Sequence, residues 1–369
     1  MKSITIIGGG LAGLVSANYM AEKGLSVTLI EKKSYPFHRV CGEYISNETI
    51  PFLKAQGLFP EEFDPAKITQ FQLTSVNGRS AMLPLDLGGF GISRYTLDHF
   101  LYKKAEAKGV KFTLNTEVEE VSFNNDEFII KAGGNEIYSD LVLGSFGKRS
   151  KLDMAMKRGF IQKRSPYAGV KYHIRTDYPA DLISLHNFKD GYCGISQIED
   201  NKFTLCYLTH RNNLKEYGNV KSMEEAVLYK NPFLKSIFKN SEFLYDRPEV
   251  INEISFATKA PVEDHVLMAG DAAGMITPLC GNGMAMAIHS AKILSELVIE
   301  YSTGKLTRDE LEQTYTKKWN LVFARRLWIG RQVQRLFGGE WSSNVAVNLM
   351  RKSKPIAELI IRNTHGESF

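Results

Sequence analysis

Two glycine-rich stretches carry the residues best suited to chemistry. The first, Gly8-Gly9-Gly10-Leu11-Ala12-Gly13, has the spacing G-x-G-x-x-G, follows the apolar run "SITII" and opens a helical pattern. In that setting Gly8 permits a tight turn, Gly10 lets a diphosphate approach the backbone, and Gly13 lets helix and strand pack closely. Unpaired amides at the helix start, at Leu11 and Ala12, favour an anion, helped by about half a positive charge from the helix dipole. Glu31, at the end of the next strand, is placed to accept hydrogen bonds from an adenosine ribose.

The fingerprint alone does not separate FAD from NAD. The second stretch, "GDAAGMITPLCGNGMA" from Gly270 to Ala285, selects FAD. A flavin needs an acceptor for its ribityl hydroxyls, and Asp271 supplies a charged one, worth ~1.5–3 kcal/mol per bond. Amides of Gly281, Asn282, Gly283 and Met284, where a helix begins, can face the pyrimidine edge of the ring and stabilise negative charge there. Pro278 stiffens the loop between.

Those residues need elements to hold them. Residues 3–7 read as a buried strand, a helix runs from Leu11 to a stop at Gly24, and "SVTLIEK" is a second strand, together a βαβ unit. Residues 91–109 read as an amphipathic helix, "VKFTLNTEVEEVSF" as strands, and "DLVLGSFGKRS" as a strand entering a glycine turn. From about residue 165, "AGVKYHIRT", "LISLHNF", "GYCGISQIE" and "KFTLCYLTH" alternate apolar and polar residues between turn signals, the pattern of an antiparallel sheet. "EISFAT" and "HVLMAGD" return to strand character, and the capping-box sequence Thr307 to Glu310 opens a long helix to about Phe337.

Composition bounds the rest. With 369 residues, 43% hydrophobic and 24% charged, a core of two or three compact units is expected. A net charge of +5 suits an acidic ligand, without the dense basic patterning of a nucleic-acid binder. Cys41, Cys193, Cys206 and Cys280 stand far apart, with no metal-type spacing, which suits reduced thiols in the cytoplasm. No stretch reaches the ~18 apolar residues of a transmembrane helix.

The glycine fingerprint, the late Gly-Asp and "PLCGNGM" before a helix together resemble the FAD-dependent superfamily of aromatic hydroxylases, flavin halogenases and geranylgeranyl reductases. "RVCGEYIS" (39–46) resembles the loop after the second strand in the reductase and halogenase branches, and "ISRYTLD" (92–98) resembles the family's Arg-x-x-Leu-Asp helix start. The resemblance implies that Arg39 and Arg94 approach the diphosphate or ribityl chain. Two departures stand out. Phe146 occupies a place where hydroxylases carry aspartate, and the tryptophans (Trp319, Trp328, Trp341) lie too late to form the W-x-W-x-I-P segment of halogenases.

The resemblance also implies a substrate held between flavin and sheet. Sheet candidates are Tyr172, His173, His186, Tyr192, Cys193, Gln197, Tyr207 and His210, and a one-residue slip of register would reverse all of them. His210, Cys280 and Cys41 are the catalytic candidates, with Glu43 beside them; a thiol near the ring could protonate a carbon after hydride transfer. In the late helix, Leu311, Tyr315, Trp319, Val322, Ile329, Val333 and Leu336 fall near one face, and its arginines suit weak contact with an anionic membrane.

The expected fold is α/β: a discontinuous Rossmann-like FAD-binding domain (1–70, 91–160, 255–303), an inserted antiparallel substrate sheet (71–90, 161–254) and a helical C-terminal region (304–369). The expected function is an FAD-dependent monooxygenase. It would be driven by NADH or NADPH, hydroxylating an aromatic or polyketide-like molecule with molecular oxygen through a C4a-hydroperoxide. The alternatives are a reductase of isoprenoid double bonds and a flavin electron carrier.

Overall fold

The computed structural model describes residues 2–162, 165–252, 254–277, 281–334, 339–352 and 366–369. Among them, six strands form one sheet in the order Val262–Glu263, Val266–Met268, Leu141–Gly144, Ser3–Ile7, Ser26–Ile30, Lys111–Thr113. All neighbours are parallel except the edge hairpin of Val262–Glu263 with Val266–Met268. Ser3–Ile7 is central in this sheet, so both its faces are covered, and Ile4, Ile6 and Ile7 are buried.

Register decides where the site falls. Ile7 sits opposite Ile30 and Gly144, and Gly144 opposite Met268. Gly8, Glu31, Ser145 and the Gly270–Asp271 turn therefore leave the sheet at one edge, the carboxyl ends where open α/β sheets bind ligands. Residues far apart in sequence meet there because their strands end in line.

A nine-stranded sheet among the described residues forms the second layer. Its path runs Glu242–Phe243, Tyr167–Arg175, Phe203–His210, Gly191–Gln197, Leu182–Phe188, Ala66–Thr74, Ser80–Gly91, Tyr44–Ser46, and Glu249–Asn252 joins Tyr167–Arg175. The pairs are antiparallel except Leu182–Phe188 with Ala66–Thr74, which run parallel. Helices Val220–Val227 and Pro232–Asn240 bury one face, where Val170, Tyr172, Ile174, Cys193, Leu205 and Tyr207 form a core. The other face looks toward the first layer.

Two local expectations change. "EISFAT" is not a strand: the strand is Glu249–Asn252, and residues 254–260 carry no regular structure. Thr307 and Glu310 form the capping box, but the helix Arg308–Trp319 passes through a π-helical turn, Asn320–Ala324, before Arg325–Gln334. The π turn widens the spiral and rotates the buried stripe. Leu311, Tyr315 and Trp319 are buried as expected, then Phe323 takes the core position and Val322 is only half-buried, as is Ile329. Leu336 lies outside the described residues. Leu321, Trp328 and Trp341 are exposed, and no helix among the described residues is long and apolar enough to cross a membrane.

Candidate functional site

A cavity of about 720 Å³ lies between the two layers. Its walls include Gly8, Gly10, Leu11, Ala12, Glu31 and Arg39, and Cys41, Gly42, Asp271, Gly281, Gly283 and Met284. Part of the wall is an apolar cluster, with Phe71, Leu185, Leu208, Ile254 and Met275 packed together and Leu85 also lining the cavity.

The glycine loop is built by close approach. Gly8 has φ +101°, open to glycine, and a Cβ on Gly13 would sit 2.1 Å from Gly8 O. Gly13 is thus a packing residue, not a wall of the cavity. Gly10, by contrast, would place a Cβ no nearer than 3.8 Å to anything, while a Cβ on Gly42 would meet nothing within 4 Å. Free space lies beside both.

Two long helices start at this cavity, and neither is capped by a side chain. Leu11–Glu22 has Gly10 at its N-cap, and Gly283–Ser302 has Asn282, whose side chain makes no capping bond. Neither has an acidic residue in its first turn. Elsewhere Ser93, Asn219, Asn231 and Thr307 each cap their helix. Uncapped amides directed at a cavity form an anion-binding surface. This donor set fits a dinucleotide with an anionic diphosphate and a ring that takes up negative charge.

Charged residues hold the walls. Glu31 accepts from the amides of Gly9 (2.8 Å) and Lys33 (3.1 Å) and pairs with Arg39 at 3.4 Å, so its carboxylate first fixes the loop. Arg39 also bonds Asp98 (3.1 Å) and Gly9 O (3.2 Å). Arg94 grips Asp98 with two bonds of 2.7 Å; burial works against its charge, but the Asp98 carboxylate outweighs burial and raises the guanidinium above its ordinary value. Asp271 lines the cavity, and the Lys259 ammonium holds its backbone carbonyl at 2.7 Å. Burial lowers Lys259 to about 8.

Strand alternation now sorts the sheet candidates. Tyr172, Cys193 and Tyr207 point into the helix-covered core. There Glu224 accepts from Tyr207 (2.7 Å) and Tyr172 (3.0 Å), and burial raises its carboxyl to about 7. His186 is on that face too, fully buried, bonded to Thr74 at 2.9 Å and stacked on Phe233. Gln197 bonds Asn201 at the strand's end. Tyr192, Ser196, Cys206 and Leu208 line the cavity.

Among the catalytic candidates, Cys41 lines the cavity, its Sγ 3.4 Å from Met284 Sδ. His210 does not belong there. It ends its strand and caps helix Arg211–Tyr217, Nδ1 accepting from the Asn212 amide at 3.2 Å, because the chain turns away at that point. Asn282 is buried outside the cavity wall, its side chain bonded to Glu48. Pro278 and Cys280 lie outside the described residues.

Sequence reasoning passed over Lys171, His38 and Tyr245 and left His173 unsorted. Lys171 Nζ lies 2.5 Å from Glu43 Oε1, both fully buried, and His173 Nε2 lies 2.6 Å from Glu43 Oε2. The available signal was the lysine in "AGVKYHIRT", where a strand otherwise rich in apolar residues spends an inward position on charge.

The chain is similar to several known flavoproteins. The family profile described as "FAD binding domain" matches residues 1–180. A digeranylgeranylglycerophospholipid reductase of Methanosarcina acetivorans is 25% identical over 336 residues, 86% of this chain and 80% of that protein. Among solved structures, a triple mutant of the flavin-dependent brominase Bmp2 superposes with TM-score 0.80 at 19% identity, over 99% of this chain and 96% of that one. A geranylgeranyl bacteriochlorophyll reductase-like protein from Thermoplasma acidophilum gives TM-score 0.79 at 16% identity, covering 100% and 96%. At those identities the structural matches speak for the fold.

Proposed function

We propose, from the premise that the chain is an FAD-dependent oxidoreductase of the superfamily that includes geranylgeranyl reductases, flavin halogenases and hydroxylases, that it reduces carbon–carbon double bonds in an apolar, isoprenoid-like chain. The observation that carries this reading is the pair of uncapped helix starts at one cavity whose wall includes an apolar cluster.

The Leu11–Glu22 helix start, with Arg39, would hold the diphosphate, and Glu31 the adenosine ribose. Arg94 would steady that end through Asp98. Asp271 would accept from the ribityl chain, and the amides of Gly281, Gly283 and Met284 would lie against the ring. The bound flavin supplies the hydride, with NADH or NADPH as the external reductant. The protein's own work is to seat the substrate among Phe71, Leu85, Leu185 and Met275, exclude water, and deliver a proton to carbon. Cys41, on the cavity wall beside Met284, is placed for that proton. A reductase of archaeal prenyl lipid among the relatives supports the choice of substrate class.

Hydroxylation of an aromatic or polyketide-like molecule with molecular oxygen is the second reading, favoured by Tyr192 and Ser196, which set polar groups among the apolar walls. The test is to load the protein with FAD and give it a geranylgeranyl lipid anaerobically and a phenolic ligand in oxygenated buffer. Mass spectrometry expects addition of hydrogen to the lipid. Oxygen in the phenolic ligand, with the lipid unchanged, would overturn the reductase reading.

A further inference from the structure

Behind the Cys41 loop lies a connected set of polar side chains whose two ends both reach the cavity: His38 at one end, Glu43 at the other. Tyr245 Oη lies 2.9 Å from His38 Nδ1 and 2.8 Å from His173 Nδ1. His173 Nε2 meets Glu43 at 2.6 Å, and Lys171 and the Arg94 amide complete that carboxylate. We propose that His38, Tyr245, His173 and Glu43, with Lys171 as fixed counter-charge, form a proton relay serving the cavity.

The direction of each bond follows from chemistry. Burial alone would raise Glu43, but Lys171 and His173 overcome it and hold the carboxylate at about 2, so Glu43 only accepts. His173 Nε2 therefore donates, and with no further proton on the ring Nδ1 is an acceptor for the Tyr245 hydroxyl. The Tyr245 oxygen accepts in turn from His38 Nδ1. A proton that arrives at His38 Nε2 releases the Nδ1 proton to Tyr245, and Tyr245 passes its own to His173. The product is one imidazolium, His173, on Glu43, with both Tyr245 bonds kept but reversed in direction; the reverse sequence returns the proton to the cavity.

Backbone and burial both mark this set as more than structural packing. Glu43 has φ +53°, a left-handed conformation that a glutamate adopts at a cost, and Gly42 beside it leaves open space. A buried lysine–glutamate pair is weak support for stability, since apolar residues of similar volume would serve as well. The remaining charged groups around the relay are Arg94, Glu199, Lys202 and Glu249, with Cys41 and Cys206 near Glu43 and Tyr95 stacked on His38.

The proposal rests on the flavin reading only for what the proton serves, so the test has two arms. In the protein with no ligand added, ring-nitrogen NMR should find His38 and His173 titrating as a linked pair, and Tyr245→Phe should uncouple them while the Glu43 bond to His173 persists. In the FAD-loaded protein, proton uptake after anaerobic photoreduction, followed with an indicator dye, should slow about 10-fold or more in His38→Ala and recover with added imidazole. Unlinked histidines in the parent protein, or slowing that imidazole does not relieve, would overturn the relay. Failure to take up FAD would overturn the flavin reading and leave the NMR arm to decide the relay.

Discussion

Cys41 Sγ and Met284 Sδ lie 3.4 Å apart across the cavity wall. They join the loop after the second strand to the start of the Gly283–Ser302 helix. If Cys41 donates a proton to carbon, Cys41→Ala should keep FAD stoichiometry and lower single-turnover reduction of a prenyl chain by about 100-fold. Met284→Leu, a volume-conserving change, should cost under about 1.5 kcal/mol and leave turnover nearly intact. Equal loss in both variants, read by rapid mixing, would point to packing and not to the thiol.

Gly10 and Gly13 separate binding from folding. A methyl at Gly13 meets Gly8 O at 2.1 Å, so Gly13→Ala should lower stability by about 1–3 kcal/mol or more through forced backbone movement. Gly10→Ala makes only ordinary contacts, so it should fold normally and lose FAD affinity alone. Thermal melts with and without FAD, together with bound-flavin absorbance, give both readings.

Lys171 is a fully buried cation paired with Glu43. Lys171→Met should destabilise by about 3–5 kcal/mol by leaving the carboxylate uncompensated, and the double variant with Glu43→Gln should recover much of it. Because Glu43 is held at about 2 in the folded protein, its contribution is present above its ordinary 4.5 and disappears as pH falls through about 2. Urea titrations over that range check the sign, and no acid-side difference between parent and double variant would refute it.

His186 gives acid sensitivity of the same sign, in a window that opens at higher pH. Burial lowers it to about 3, so between 6.5 and about 3 the unfolded chain binds a proton that the folded one refuses. Stability should fall by about 1.4 kcal/mol per pH unit across that window. Parent and His186→Gln, compared by urea unfolding at several pH values, should converge as pH falls.

The residues that meet at the strand ends were more legible than the polar cluster behind the Cys41 loop. Gly8, Gly10 and Asp271 declare themselves because a tight turn and a carboxylate at a strand end are local features, read within a few residues. The inserted sheet was visible from alternation, but its facing was not: Tyr172 and His173 are neighbours with opposite fates, and only the paired strands decide which turns inward. His210 misled for a related reason, since a polar residue ending a strand can as well cap the next helix. Tyr245 was invisible because its partners, His38 and His173, are distant in sequence and meet only through the fold.

The cavity's two helix starts also set an order of events during synthesis. The loop at Gly8–Gly13 leaves the ribosome well before Gly281–Met284, with the strands of the nine-stranded sheet made in between. A nascent chain that holds the fingerprint alone owns only one end of the cradle. If both helix starts hold the cofactor, its durable capture must wait for the second of them, which would make loading a checkpoint and not a scaffold from which folding begins.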